Sequence, residues 1–144
     1  MKKRVLGFLL AILMLGCNVC AAAEAVQVEP RASLYLDGYA IGIVPKGGHL
    51  MSVTFIVYGT DIMDCLGAQK ILIEEWDGID WVETGTYSAE KNSHFLAQKA
   101  SEHAASVTFY GLPGVQYRAT LTAYAELNGG SDTGVLVSSP KTCK

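Results

Sequence analysis

The side chains best suited to chemistry in this sequence are three histidines, a run of acidic residues and a set of serines. His49, His94 and His103 do not stand at the spacing of an H-E-x-x-H zinc motif, and each lies near a predicted loop or strand end. No G-x-S-x-G nucleophile elbow accompanies the serines. We therefore predict no catalytic residues, no bound metal and no cofactor. A small extracellular enzyme or enzyme inhibitor is the alternative, because His94 and His103 share one irregular segment.

Acidic side chains concentrate around one predicted hairpin. A calcium site needs about six to eight oxygen ligands that converge on one point. Neighbouring residues of a strand point to opposite faces, so the carboxylates of a hairpin diverge, and we predict a solvated edge. Asp61 and Asp64, which share one predicted loop, are a better calcium candidate than the hairpin carboxylates and are the alternative to our prediction of no metal. The hairpin carboxylates belong to Glu74, Glu75, Asp77, Asp80 and Glu83.

Aromatic residues supply the best candidates for a binding surface. Tyrosine and tryptophan combine a large apolar ring with a polar group, which suits contacts with carbohydrate or with a partner protein. Packing between strands is the other explanation for these rings. A glycine-rich turn near the C-terminus is predicted to lie exposed at one end of the domain, and it is a second contact candidate. The predicted surface consists of Trp76, Trp81, Tyr124, Asn128, Gly129, Gly130, Ser131 and Asp132.

Residues 1–25 have the pattern of a secretory signal peptide. Met1–Arg4 is positively charged, Val5–Gly16 is almost entirely apolar, and Ala21–Ala25 offers small-residue cleavage sites after Ala23 or Ala25. The apolar run is shorter than the roughly 20 residues that a transmembrane helix needs, so a retained anchor is disfavoured. The sequence predicts a signal-peptide helix that is removed, no membrane span afterwards, and one secreted domain over residues 26–144.

Export sets the charge of the domain and the partners that we expect. The net charge of −3 becomes −5 on cleavage after Ala25, because three basic residues and one acidic residue leave with the signal peptide. An acidic protein repels nucleic acid and anionic membranes, so we expect neither as a partner. The expected partner is an extracellular protein or a carbohydrate. Lipidation at Cys17, which follows Gly16, and association with the cell envelope are alternatives.

Two cysteines, Cys65 and Cys143, remain after cleavage. One disulfide between them is consistent with an exported protein. In the strand order that we expect, however, the two residues lie at opposite ends of the domain. A seven-residue strand spans about 23 Å, whereas the bridged Cα atoms of a disulfide lie within about 7 Å. The sequence leaves this bridge open, and its presence would contradict the expected strand order.

Alternation of apolar and polar residues predicts an all-β domain. In Leu50–Gly59, for example, Met51, Val53 and Phe55 share one face. Runs of this kind, separated by turn residues every 8–12 residues or so, predict a single antiparallel β-sandwich of roughly seven to nine strands. The other predicted strands are Ala32–Leu36, Tyr39–Val44, Gln69–Trp76, Asp80–Tyr87, Val107–Gly111, Val115–Leu127 and Thr133–Ser139.

Two segments depart from the alternating pattern. Thr60–Ala68 places apolar residues at the spacing of one helical turn, so we predict a short ordered loop or a single turn there. Ser88–Ala105 is rich in alanine and charge, and we predict an irregular crossover with a short strand near His94. Between these segments, Asp77 and Gly78 predict the turn of a hairpin.

The stretch LPGVQY, which ends at Tyr117, is followed by alternating small and apolar residues. It resembles the corner before strand F of fibronectin type III and related immunoglobulin-like domains. In those domains the tyrosine hydroxyl bonds back to the upstream backbone. The resemblance implies an immunoglobulin-like sandwich, although the usual strand-B tryptophan is replaced, with Phe55 nearby. The implied structural corner consists of Leu112, Pro113, Gly114 and Tyr117.

A second resemblance covers nearly the whole domain. The segments that carry it are Arg31–Ser33, Met63-Asp64, Leu66–Ala68, Trp81, Ser106–Phe109, Gly114, Tyr117–Ala119 and Gly129–Asp132. Their order resembles the DUF6147 family, small exported proteins of Gram-positive, clostridial-type bacteria that have no assigned activity. The resemblance implies a single secreted β-sandwich, and it carries over no catalytic residues.

Overall fold

Antiparallel β-strands make up almost all of the regular structure in residues 33–144, which are the residues that the structure, a computed structural model, describes. The predicted signal peptide and the start of the predicted domain lie outside this range. The prediction of an all-β, antiparallel fold is confirmed. The elements are β1 (Leu36–Gly47), β2 (Leu50–Trp76), β3 (Trp81–Ser88), a 3-10 turn (Ser93–Phe95), β4 (Leu96–Tyr110), β5 (Gln116–Leu127), β6 (Gly130–Val137) and β7 (Lys141–Thr142).

The sheet is organised around β2, which runs unbroken for 27 residues. Its first half pairs with β1 on one side and β4 on the other, and its second half pairs with β5 and β3. β6 and the short β7 complete the sheet by pairing with β5. The sheet curls until β1 packs against β5 and β6, which makes it a half-barrel around one core.

The prediction of a loop at Thr60–Ala68 is wrong, because β2 continues through these residues. The pairing register shifts between Tyr58 and Met63 against β4, and between Ala68 and Lys70 against β5. A register shift changes which face the following side chains take. The pattern therefore resembles a helical turn although the backbone is extended.

The prediction of an irregular crossover at Ser88–Ala105 is correct only for its first part. A turn and the 3-10 segment occupy residues 89–95, and β4 begins directly afterwards. Lys99 has a left-handed backbone with φ of 53°, which interrupts the alternation of β4. Small residues such as Ala104 and Ala105 give little local strand signal, so the pairing with β2 determines this strand.

The hairpin predicted around Asp77 and Gly78 is confirmed as β2 and β3. The Asp77 carboxylate accepts hydrogen bonds from the backbone N–H groups of Asp80 and Ile79, both at 2.8 Å. These bonds lower the pKa of Asp77. Gly78 has φ of 102°, a conformation that glycine adopts without steric cost. The two residues that predict the turn are therefore the residues that form it.

The corner before β5 is fixed by Tyr117. Its buried hydroxyl accepts a hydrogen bond from the backbone N–H of Leu112 at 2.9 Å and donates one to the Glu75 carboxylate at 3.1 Å. Gly114 takes the left-handed turn conformation with φ of 79°. The C-terminal tail packs against the corner. The backbone N–H of Cys143 donates a hydrogen bond to the carbonyl oxygen of Val115, and the Cys143 side chain is buried.

The core lies on the concave side of the curled sheet. β2 contributes alternate apolar residues from both of its halves, and β1, β5 and β6 cover them from the other side. Within residues 33–144 no helix is long and apolar enough to cross a membrane. The largest fully buried side chains are Tyr39, Phe55, Phe95, Met51, Met63, Leu66, Ile71, Ile73 and Leu121.

Candidate binding face

The convex side of β3, the second half of β2, β5 and β6 forms one continuous surface, here called the outer face. Alternation places Ile73 and Leu121 in the core, so the intervening residues of β2 and β5 point outward. Glu74, Arg118 and Tyr124 are among these outward residues. The strand pairing therefore brings side chains that are distant in sequence onto a common surface.

Two tryptophans lie at the hairpin end of the outer face. Trp76 and Trp81 are directly paired across β2 and β3, and their ring centroids are 5.4 Å apart at an interplanar angle of 54°. Trp76 remains 37% exposed. The Arg118 guanidinium carbon lies 4.5 Å from the ring centroid of Trp81, within the range of a cation–π contact. Both rings are thus held in place beside a fixed positive charge.

Arg118 is oriented by a fork of hydrogen bonds to Glu74. Its Nε and an Nη atom donate to the two carboxylate oxygens at 2.8 and 3.0 Å. This pairing lowers the pKa of Glu74. A two-point contact between planar groups fixes geometry as well as charge. The prediction that the hairpin carboxylates are simply solvated is therefore wrong for Glu74, which is mostly buried against Arg118.

A cleft of about 710 Å³ opens at the other end of the outer face. Tyr124 lines it together with Glu126, and the tyrosine hydroxyl donates a hydrogen bond to the Glu126 carboxylate at 2.7 Å. This bond raises the pKa of Tyr124. The turn after β3 and the start of β4 form the side of the cleft. Its remaining lining residues are Cys65, Gln69, Lys70, Ser88, Ala89, Glu90, Leu96 and Thr122.

The Trp81–Arg118 stack and the cleft are two ends of one elongated surface. Arg118 and Tyr124 lie six residues apart on β5, which corresponds to about 20 Å along an extended strand. No family model, curated protein or solved structure matches this chain. What the outer face can bind therefore has to be argued from its own side chains.

The glycine-rich turn that was predicted as a contact site has an internal role. Asp132 accepts hydrogen bonds from the Ser33 hydroxyl and from the backbone N–H groups of Leu34 and Tyr35. The Ser33 bond lowers the pKa of Asp132. The Tyr35 ring lies so close to Gly130 that a Cβ there would clash with it. Asn128 and Gly129, at the tip, remain exposed, but the end of the turn anchors the entry into β1.

The histidines that motivated an enzyme hypothesis bond to the backbone. His103 Nε2 lies 2.8 Å from the carbonyl oxygen of His94, and His94 Nε2 lies 3.4 Å from the carbonyl oxygen of Ser106. The His103 ring also packs against Phe55, with centroids 6.1 Å apart. These contacts tie the 3-10 turn to β4, which is a structural role.

Asp61 and Asp64, the calcium candidates, form an ion pair and hydrogen bonds within the protein. Asp64 pairs with Lys99 and accepts the backbone N–H of Asn128, and the Lys99 contact lowers its pKa. Asp61 accepts the backbone N–H of Ile62 at 2.7 Å. Among residues 33–144 no group of three or more histidine, cysteine or carboxylate side chains is placed to hold a metal ion.

The disulfide that the sequence left open is not formed, because Cys65 and Cys143 are both free thiols. Cys65 pairs with Glu126 on β5, whereas Cys143 follows the pairing of Thr142 with Gln116. These positions on β5 are ten residues apart, which is about 33 Å along a strand and far beyond the reach of a disulfide. Burial raises the pKa of the Cys65 thiol.

Sequence reasoning missed three polar residues of the outer face. Arg118, Lys70 and Glu126 do alternate outward in the predicted strands, which is a usable signal. Their partners were not readable, however, because Glu74 and Arg118 are 44 positions apart in the chain. Only the pairing of β2 with β5 places them side by side.

Proposed function

We propose that this chain is a secreted, non-catalytic binding module with an immunoglobulin-like sandwich fold. The two halves of β2 pair mainly with different strands, β1 and β4 on the first half and β3 and β5 on the second, and this division of the curled sheet supports the sandwich description, as does the Tyr117 corner. The observation that carries the binding proposal is the common placement of Trp76, Trp81 and Tyr124 on the outer face, with a cleft beside Tyr124.

The side chains of the outer face suit an elongated carbohydrate. Exposed rings at one end offer flat apolar surfaces for the C–H faces of sugar rings. The cleft adds carboxylates, an amide, hydroxyls and an ammonium group, which can accept from and donate to sugar hydroxyls. A partner protein is the second candidate, because buried Trp, Tyr and Arg residues also dominate protein–protein contacts.

Binding to a panel of extracellular glycans, measured by calorimetry, tests this proposal. Trp76→Ala and Tyr124→Ala are each expected to weaken binding by about tenfold or more, since stacked aromatic rings contribute on the order of 1–2 kcal/mol. Tyr58→Ala is the matched control, because Tyr58 is also 37% exposed but lies on the first half of β2. Equal losses in all three variants, or no glycan binding at all, would refute the carbohydrate assignment.

Absence of catalysis is part of the same proposal. The motive for an enzyme was the pair His94 and His103, and the Nε2 atom of each ring contacts a backbone carbonyl oxygen. A small extracellular enzyme or enzyme inhibitor is the alternative function, and no specific contact among the residues that the structure describes favours it. Turnover of any substrate that His94→Ala abolishes in a folded protein would overturn the non-catalytic assignment.

Secretion and membership of the DUF6147 family complete the proposal. They rest on the order of the charged, apolar and small residues in residues 1–25 and on the resemblance described above. Fractionation of producing cells separates the outcomes. Protein that starts at Val26 or Glu24 in the medium supports secretion, whereas protein that starts at a lipid-modified Cys17 in the envelope fraction supports the envelope alternative.

A further inference from the structure

Within residues 33–144, four of the longer strands pair on one side only. β1, β3 and β4 pair with β2, and β6 pairs with β5. The other side of such a strand presents unpaired N–H and C=O groups, which can template the addition of a further strand. Proteins usually protect these edges with charges, prolines, bulges or covering side chains. The four edges differ in this protection.

Three of the edges carry such protection. β1 contains Pro45 and Lys46 beside a register shift, and β3 carries Glu83 at a register shift against β2. β4 is interrupted at Lys99 by its left-handed backbone. Farther along β4, the side chains of His94 and Tyr87 reach the carbonyl oxygens of Ser106 and Thr108 at 3.4 and 3.5 Å. The His94 and Tyr87 side chains therefore cover the C-terminal part of the β4 edge.

From Thr133 onward, the edge of β6 has none of these features. From Thr133 to Ser139 the sequence is TGVLVSS, which contains no charge and no proline. Its pairing with β5 proceeds from Gly130 to Val137 without a register shift. Val135 and Val137 are 53% and 38% exposed on the outer face. An edge segment that is uncharged, regularly paired and exposes valines is a site at which another strand can add.

We infer that β6 is a self-association edge, at which a second copy of this chain adds its own β6 in an antiparallel orientation. Two-fold pairing centred on Val135 places Val135 opposite the same residue of the second copy and Asp132 opposite Ser138. No two like charges then face each other. The absence of facing like charges favours pairing, because the chain is acidic overall and carboxylates placed opposite each other would repel the second copy.

Asp132 supports the inference in a second way. It is the one charged residue of β6, and its carboxylate already accepts hydrogen bonds from the Ser33 hydroxyl and from two backbone N–H groups. A carboxylate held in this way is stabilised without a partner on the second copy. Pairing of β6 with its copy would join two outer faces into one surface of eight strands, with a Trp76–Trp81 pair at each end. A surface with two-fold repetition suits a repetitive ligand through avidity.

Sedimentation velocity over a range of protein concentrations tests the inference. The sedimentation coefficient should rise with concentration, and Val135→Lys should weaken the association by about tenfold or more. Val82→Lys is the matched control, because Val82 is 43% exposed on the protected edge of β3. Circular dichroism checks that both variants are folded. A monomer at all concentrations, or equal loss in both variants, would overturn the inference.

Site-directed crosslinking reports the register without relying on a charged variant. In a Cys65→Ser background, Val135→Cys should form an intermolecular disulfide, since opposite Cα atoms of an antiparallel pair lie about 4.5–5.5 Å apart. Val137→Cys should crosslink much less, because in this register Val137 faces Thr133 of the second copy. Equal crosslinking at both positions would contradict the proposed register. Dimerisation only after removal of residues 26–32 would assign the edge to the chain's own leading segment and would equally overturn it.

Discussion

Two buried tyrosines differ in whether their hydroxyl groups form hydrogen bonds. The Tyr117 hydroxyl makes two hydrogen bonds, to the Leu112 backbone and to Glu75. The Tyr39 hydroxyl is fully buried against Gly134 and has no hydrogen-bond partner among the described residues. A buried polar group without a partner costs free energy, whereas a bonded one is costly to remove.

Replacing each tyrosine by phenylalanine should therefore have different effects on stability. Tyr117→Phe should lower the free energy of unfolding by about 1–3 kcal/mol, because the Leu112 N–H and the Glu75 carboxylate lose their partner. Tyr39→Phe should change it little or raise it slightly. Urea denaturation monitored by fluorescence measures both values. A larger loss for Tyr39→Phe than for Tyr117→Phe would contradict the hydrogen-bond assignment.

The fork between Arg118 and Glu74 should make stability depend on pH. Arg118 lowers the pKa of Glu74 below its ordinary value of 4.5 in the folded state. The resulting stabilisation is complete above the unfolded-state pKa and is lost as the pH falls through the folded-state value. Glu74→Gln should therefore flatten the decline of unfolding free energy below about pH 4.5. Arg118→Gln should flatten it equally, because it removes the cause of the shift, and an unchanged slope in both would refute the assignment.

Among the strands, β2 determines the architecture because it belongs to both parts of the curled sheet. Its middle passes close to the 3-10 turn, where Gly67 adopts φ of 147°. A Cβ at this position would clash with the carbonyl oxygen of Phe95, which belongs to the backbone and cannot rotate away. The close approach of β2 to the 3-10 turn thus depends on the absence of a side chain at Gly67.

Gly67→Ala should consequently destabilise the protein by about 2 kcal/mol or more, through backbone strain and displacement of Phe95. Gly42→Ala provides the control, since nothing lies within 4 Å of a Cβ added there on β1. Thermal unfolding of the two variants in parallel measures the difference. Similar melting temperatures for both would show that the close contact between Gly67 and Phe95 does not limit stability.

For the molecule as a whole, local pattern was sufficient where each strand alternates without interruption. The hairpin at Asp77, the long β5 and the corner before it were predictable for this reason, since their signals lie within a few residues. The strand character of Thr60–Ala68 and of the first part of β4 was not predictable, whereas the end of β4 falls in the predicted strand Val107–Gly111. In both places a register shift or a left-handed residue breaks the alternation, and the pairing partners are distant in sequence.

The aromatic residues of the outer face stand out in the sequence as a set, and their arrangement was not predictable. Exposed rings can be inferred from alternation along one strand, but the contact of Arg118 with Trp81 spans two strand pairings. The internal role of Asp132 was equally hidden, because its partner Ser33 lies 99 positions away. Long-range contacts of this kind depend on the curl of the whole sheet.

The sequence by itself determined that the domain is built from antiparallel strands, and where its main turns fall, because alternation and turn chemistry act over a few neighbouring residues. Only the tertiary structure decided that β2 is continuous, that the two cysteines are apart, and that Trp76, Trp81 and Tyr124 share one face. The physical reason is that strand register is fixed by partners far along the chain. The arrangement of side chains on the outer face is accordingly determined by how the strands pair.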